Sequence, residues 1–306
     1  MKIGFVGLGK MGSQIVPKFL ESNIEVIVYD VSPDAVAAMS NVGAGTATSR
    51  EDLIAKLGDT PVLWLMIPSD FVEDEIQEYS KLLPKGSLLV DGGNSDFRLT
   101  IRRAGELASK QIDFVDVGTS GGIRGLSNGF SLMVGGNQDG YNRIQPLLEI
   151  LSLPNGSFGH IGPVGSGHYV KMVHNGVEYG MMQSFAEGYN LLKVGPVQPV
   201  NLKEVSRIWQ HGSIVESGLN KLIVEIMAED AELTGIEGYV ADSGEGRWTL
   251  ETAKQSGISM PALQKALEVR IKSQQGEVDY STKLLAQMRN KFGGHSVEKP
   301  EGSTPS

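Results

Sequence analysis

Lys171, His174, Asn175 and Glu178 lie in the run Val170-Lys171-Met172-Val173-His174-Asn175-Gly176-Val177-Glu178-Tyr179. In a helix, positions i, i+3, i+4 and i+7 share one stripe, so a base, an imidazole, an amide and an acid would face the same way. Such a set can take a proton from a hydroxyl, return one elsewhere and hold oxygen atoms between. The flanking Val170, Val173, Val177, Gly180, Met181 and Met182 are apolar or small, as in a buried helix. A polar stripe on a buried helix marks a site; the plainer alternative is a solvated face with Lys171 paired to Glu178. The chain has no cysteine, which excludes thiolate chemistry and Cys-ligated zinc. Its five histidines have no H-x-x-x-H spacing, so no metal is expected. The chemistry must use Lys, His, Glu, Asp, Tyr or a bound cofactor.

The elements that position this stripe divide the 306 residues in two. Short β-branched or apolar runs recur at Ile3 to Val6, Val26 to Tyr29, Val62 to Ile67, Leu88 to Val90, Phe114 to Val117 and Ser131 to Val134, with helix-length segments between most of them. That alternation predicts a doubly wound α/β domain, mostly parallel, over 1–164. Beyond Gly165 the strand signals stop, and periodic stretches such as Tyr169 to Lys193, Leu202 to His211, Val215 to Glu229 and Pro261 to Gln275 predict an all-helical domain over 165–295. Residues 296–306, rich in Pro, Gly, Ser and charge, are expected to be a disordered tail.

Gly7-Leu8-Gly9-Lys10-Met11-Gly12 is a G-x-G-x-x-G, a weak signal by itself in a chain with 39 glycines. Here it follows a strand, opens an amphipathic helix and precedes a second strand ending in Asp30, 18 residues beyond Gly12. In that order the glycines admit a pyrophosphate to the helix N-terminus and the acid holds a ribose diol, which predicts a Rossmann dinucleotide site. Asp30 would face the 2′-phosphate of NADP, and Val31-Ser32-Pro33 brings no cation to neutralise it, so NAD is expected. Met66, Ile67 and Pro68 are counted with the cofactor residues, as is Asn94. Asp91-Gly92-Gly93-Asn94-Ser95 and Gly118-Thr119-Ser120-Gly121-Gly122 close two further strands at the carboxyl edge, where open α/β sheets bind ligands. Asn94 and Ser120 offer hydrogen bonds there to a hydroxylated or carboxylate substrate.

With 27 Lys+Arg against 36 Asp+Glu, the net charge is −9, which disfavours nucleic acid and anionic lipid as partners. No apolar run approaches the ~18 residues of a membrane span, and the first residues already read as a strand, so a cytoplasmic protein is expected.

Together GLGKMG, DGGNS, SGG and KxxHNGxEYG resemble the 6-phosphogluconate dehydrogenases, within the β-hydroxyacid dehydrogenase superfamily. The segment Arg289-Asn290-Lys291-Phe292-Gly293-Gly294-His295 is similar to that family's tail. The length is similar to the family's short form, which lacks most of a second helical repeat. The resemblance implies oxidative decarboxylation of 6-phospho-D-gluconate to D-ribulose 5-phosphate and CO2, without a metal, in the pentose phosphate pathway. It implies that Lys171 is the base toward the 3-hydroxyl and Glu178 the acid that protonates the enediol carbon. Asn94, Ser120, Gly121, Gly122, His174 and Asn175 would position the sugar acid, with Tyr179, Arg270, Arg289 and His295 near its phosphate. It further implies a homodimer or homotetramer in which the tail completes the neighbouring subunit's site.

One departure stands out. The long enzymes carry a Gly-Gln-Lys-Gly-Thr-Gly-Lys-Trp loop whose first lysine helps bind phosphate, whereas this chain has Asp242-Ser243-Gly244-Glu245-Gly246-Arg247-Trp248. Arg247, Arg270 or Arg289 is left to supply the cation, and Glu245 is unfavourable there unless it points away. Two alternatives remain: an NAD-dependent 3-hydroxy acid dehydrogenase of the same superfamily, which keeps Lys171 but gives Glu178 and Arg289 no task, and a non-catalytic NAD(H)-binding protein.

Overall fold

A computed structural model describes residues 1–294. The chain divides into two compact units, Met1–Lys171 and Met172–Ser306, and the division falls inside one long helix, Ser166–Val194.

The first unit holds one sheet made of β1 (Lys2–Val6), β2 (Glu25–Tyr29), β3 (Gly45–Thr46), β4 (Val62–Leu65), β5 (Leu88–Asp91), β6 (Asp113–Ser120), β7 (Ser131–Gly135) and β8 (Ser157–Gly162). Their order is β3-β2-β1-β4-β5-β6-β7-β8. All neighbours are parallel except β6 and β7, which pair antiparallel from Asp116↔Gly135 to Ser120↔Ser131. Alternate residues of each strand enter opposite cores, as a pleated strand covered on both faces requires. Phe5, Trp64, Val90, Val115 and Val117 pack with Ile15, Phe19 and Leu147 on one face. Val6, Leu63, Leu65, Leu89 and Phe114 pack with Leu53, Val72, Ile76 and Leu107 on the other.

The expected mostly parallel sheet is therefore present, with two strands the sequence did not announce. Both are edges: β3 is two residues long, and β8 has no fully buried residue, so neither shows the apolar run of a buried strand. The reversal at β7 follows from its connection. Residues 121–130, with the short helix Gly125–Asn128, are too few for the crossover that parallel strands need.

The second unit is helical among its described residues. Met182, Ala186 and Tyr189 of the long helix share a core with Ile223 and Ile226 of the helix Gly218–Glu229 and with Leu284, Leu285 and Met288 of the helix Tyr280–Gly293. A smaller core joins Tyr179 to Leu263, Ala266 and Leu267 of the helix Pro261–Ser273. A capping box at Asp279 and Thr282 starts the helix that carries Arg289, which fixes where that arginine falls.

Candidate active site

In the first unit the glycine loop and Asp30 are bound to each other. The Asp30 carboxylate accepts the N–H of Leu8 at 2.6 Å and that of Ser32 at 2.8 Å. A carboxylate has about four acceptor positions, so capacity remains for a ribose diol. Gly7 has φ +96, and a Cβ there would strike the Met66 carbonyl and the Ile67 side chain, which puts the end of β4 against the loop. A Cβ on Gly12 would strike the Gly7 carbonyl, so the helix Gly12–Glu21 starts in backbone contact with the loop. Gly9 has nothing within 4 Å of its Cβ position. Two glycines thus close the turn and one faces open space, which is what a pyrophosphate approaching the backbone requires.

At the end of β5 the buried Asp91 accepts from the Gly93 N–H at 3.0 Å and the Ser95 hydroxyl at 2.7 Å, fixing the turn that presents Asn94. Ser120 ends β6, and Gly121 and Gly122 follow it. Lys171 is buried at 9% exposure, and its stem lies against β6: a Cβ on Gly118 would sit 2.6 Å from that of Lys171 and 2.5 Å from the Gly167 carbonyl. Asp116, on the same strand and fully buried, accepts the N–H of Gly165 at 2.6 Å and of His168 at 2.8 Å.

In the second unit His174 Nδ1 lies 3.1 Å from Asn175 Oδ1 and 3.9 Å from Glu178 Oε2. These three therefore form one polar group on the helix. Tyr179 is buried, and its hydroxyl donates to Asp242 Oδ1 at 3.1 Å and lies 3.3 Å from Ser243 Oγ. Burial pushes the Tyr179 phenol up from its ordinary value, so it remains a neutral donor. Arg270, 1% exposed, sets its guanidinium over the Tyr179 ring, Cζ 3.3 Å from the centroid, and its Nη1 is buried without a hydrogen-bond partner. Burial pushes this guanidinium down to about 10, so it stays charged at neutral pH. Arg289, 5% exposed, is lowered by the same cause and lies in the field of Tyr179, Asp242 and Glu245. A Cβ on Gly246 would come 2.7 Å from the Tyr179 ring, so only glycine at that place leaves room for the stack. Arg270 over the ring, its Nη1 unpartnered, and the buried Arg289 thus bring two positive charges to the surroundings of Tyr179.

Three further side chains take definite places. The Arg247 guanidinium is paired with Asp242. Glu245 is buried at 8% exposure, within electrostatic range of Arg289. The helix that carries Arg289 is anchored in the second unit by Leu284, Leu285 and Met288. His295 and the expected tail 296–306 lie outside the described residues. Sequence reasoning passed over Asp116, although a charged residue inside the run Phe114-Val115-Asp116-Val117 is the signal that exposes it.

Comparison with known proteins decides the family. The NAD-binding domain profile of 6-phosphogluconate dehydrogenase matches residues 2–162, and the C-terminal domain profile of the same enzyme matches residues 167–302. The chain belongs to the 6-phosphogluconate dehydrogenase family. Among relatives, a family member of Bacillus subtilis (strain 168), YqeC, only provisionally named as such a dehydrogenase, is 38% identical over 299 residues, covering 98% of this chain and 100% of its own length. The NAD(+)-dependent, decarboxylating 6-phosphogluconate dehydrogenase of Haloferax volcanii is 37% identical over 303 residues, with 98% and 100% covered. Among solved structures, Plasmodium falciparum 6-phosphogluconate dehydrogenase superposes with TM-score 0.80 at 27% identity, over 99% of this chain and 67% of that one. As a 6-phosphogluconate dehydrogenase family enzyme, the chain has an NAD-binding Rossmann-type domain and a helical C-terminal domain. Among the described residues, no helix is long and apolar enough to cross a membrane.

Proposed function

We propose that the chain oxidises 6-phospho-D-gluconate at C3 with NAD and releases CO2 to leave D-ribulose 5-phosphate, an oxidative step of the pentose phosphate pathway. The observation that carries this reading is Tyr179 beneath the buried Arg270, with Arg289 in the same unit, one residue beyond the group His174, Asn175 and Glu178. An unphosphorylated 3-hydroxy acid, its one carboxylate held near Asn94 and Ser120, would bring no second anion to that arginine pair.

Gly7, Gly9, Gly12 and Asp30 would hold the dinucleotide, which when bound supplies the acceptor for the C3 hydride. Lys171, in its neutral form, takes the proton of the C3 hydroxyl. Oxidation at C3 leaves a β-keto acid, whose carboxylate can depart as CO2 because the carbonyl accepts the electron pair. Protonated by then, Lys171 donates to that oxygen and stabilises the developing oxyanion. Glu178 then delivers a proton to the enediol carbon. Asn94, Ser120, His174 and Asn175 orient the hydroxyls and carboxylate, while Tyr179, Arg270 and Arg289 hold the phosphate.

Asp30 favours NAD over NADP, in keeping with the cofactor named for the Haloferax enzyme. Steady-state assays with 6-phosphogluconate and a panel of unphosphorylated 3-hydroxy acids, each with NAD and NADP and scored for reduced cofactor and CO2 together, test the reading. Turnover of 6-phosphogluconate with equal yields of NADH and CO2 is expected. Oxidation of a simple 3-hydroxy acid without CO2 would overturn it.

A further inference from the structure

Asp116 has no part in binding or proton transfer as described above, yet it is one of the most constrained side chains in the first unit. It is fully buried in β6, and its two oxygens accept the N–H of Gly165 and that of His168, the third residue of the long helix. The first N–H groups of a helix have no partner within it, so a carboxylate that accepts them fixes where the helix begins and meets the positive end of its dipole. Here that carboxylate comes from a strand about fifty residues earlier and not from the chain just before the helix.

The surroundings leave the first turn no slack. A Cβ on Gly167 would lie 2.6 Å from the Asp116 carbonyl and 2.5 Å from that of Met133, and one on Gly135 would lie 2.5 Å from Asp116 Oδ1. Backbone therefore meets backbone between helix and sheet. His168, 2% exposed, extends the clamp: its Nδ1 lies 2.8 Å from the Thr100 hydroxyl, which itself donates to the Asp96 carbonyl. Lys171 follows His168 by three residues, almost one turn, with its Cβ against Gly118, two residues along β6 from Asp116. One strand thus holds both the start of the helix and the stem of Lys171.

We infer that Asp116 is a positioning residue for Lys171: by fixing the first turn of the long helix on β6, it sets where the lysine amine stands. The inference rests on the role proposed for Lys171 above. Asp116→Asn tests it, because an amide offers one acceptor oxygen to two N–H groups and releases one of them. Gly118→Ala tests the same contact sterically from the other end.

For Asp116→Asn the expected result has three parts. NAD affinity, measured by fluorescence titration, stays within about twofold of wild type. kcat for 6-phosphogluconate falls by about tenfold to hundredfold with little change in KM, as a misplaced base requires. Amide hydrogen exchange accelerates in peptides covering residues 165–172 and not across the glycine loop. Gly118→Ala should reproduce the loss of kcat with NAD affinity intact. Wild-type kcat in either variant overturns the inference. Loss of NAD binding in Asp116→Asn also overturns it, by making Asp116 a support of the whole sheet. If the wild-type protein fails to oxidise 6-phosphogluconate while the exchange response appears as expected, the functional reading falls and the hold of Asp116 on the helix stands.

Discussion

The guanidinium of Arg270 stacks on the ring of Tyr179, Cζ 3.3 Å from the centroid, the pair to which the proposed function assigns the phosphate. The ring supports the guanidinium plane without satisfying its N–H groups, and Nη1 is buried with no hydrogen-bond partner.

Arg270→Gln should therefore raise KM for 6-phosphogluconate by about tenfold to hundredfold, the cost of a charge-assisted hydrogen bond at a buried site. Arg270→Lys should recover little of that loss, because an ammonium neither stacks nor forks. KM for an unphosphorylated sugar acid serves as the control. Equal effects on both substrates would remove the phosphate from this assignment.

Asp30, held between the N–H groups of Leu8 and Ser32, should make kcat/KM higher with NAD than with NADP. Asp30→Ala combined with Ser32→Arg should shift that ratio toward NADP by removing a repulsive charge and adding an attractive one. Better use of NADP by the unmodified protein would sink the assignment.

Lys171→Ala should abolish oxidation, with a loss on the order of 10^2 to 10^4 for a positioned base. Glu178→Ala should spare NAD binding and hydride transfer but slow the release of ribulose 5-phosphate, seen as a lag between NADH and pentose in rapid-quench assays. Near-wild-type turnover in either variant removes that residue from the mechanism.

Within one chain Arg289 lies in the field of Arg270; if that pair serves one site, Arg270→Ala and Arg289→Ala place their lesions together. Mixing the two variants under conditions of verified subunit exchange should restore no activity. Recovery toward half the wild-type level would show that Arg289 serves a neighbouring subunit instead.

Asp242 lies between Tyr179 and Arg247. Burial pushes its carboxyl up, but donation from the Gly244 N–H, Arg247 and Tyr179 outweighs that and holds it below the ordinary carboxylate value. A carboxylate depressed in the folded state contributes stability above its unfolded value, about 3.9, and loses it as pH falls through the lower folded value. Asp242→Asn should thus melt below wild type at pH 7, and the difference in Tm should narrow progressively once pH drops below about 4. A difference constant from pH 7 to pH 2.5 would contradict the charge argument.

What the sequence determined by itself is local. The strand, glycine turn, helix and acid of the cofactor site lie within thirty residues, and the polar series from Lys171 to Glu178 lies within two turns of one helix. Periodicity decides such arrangements because side chains repeat every 2 residues on a strand and every 3.6 on a helix. The pairings between distant segments were decided only by the tertiary structure. Asp116 meets His168 across 52 residues, and Tyr179 meets Asp242 across 63. Arg270 and Arg289 stand on different helices. Each of these depends on how helices and strands pack, where a glycine at 118, 167 or 246 lets two backbones or a ring approach closely. Spacing along the chain carries no record of that approach, because the atoms that meet belong to elements whose separation is set by packing in the folded core.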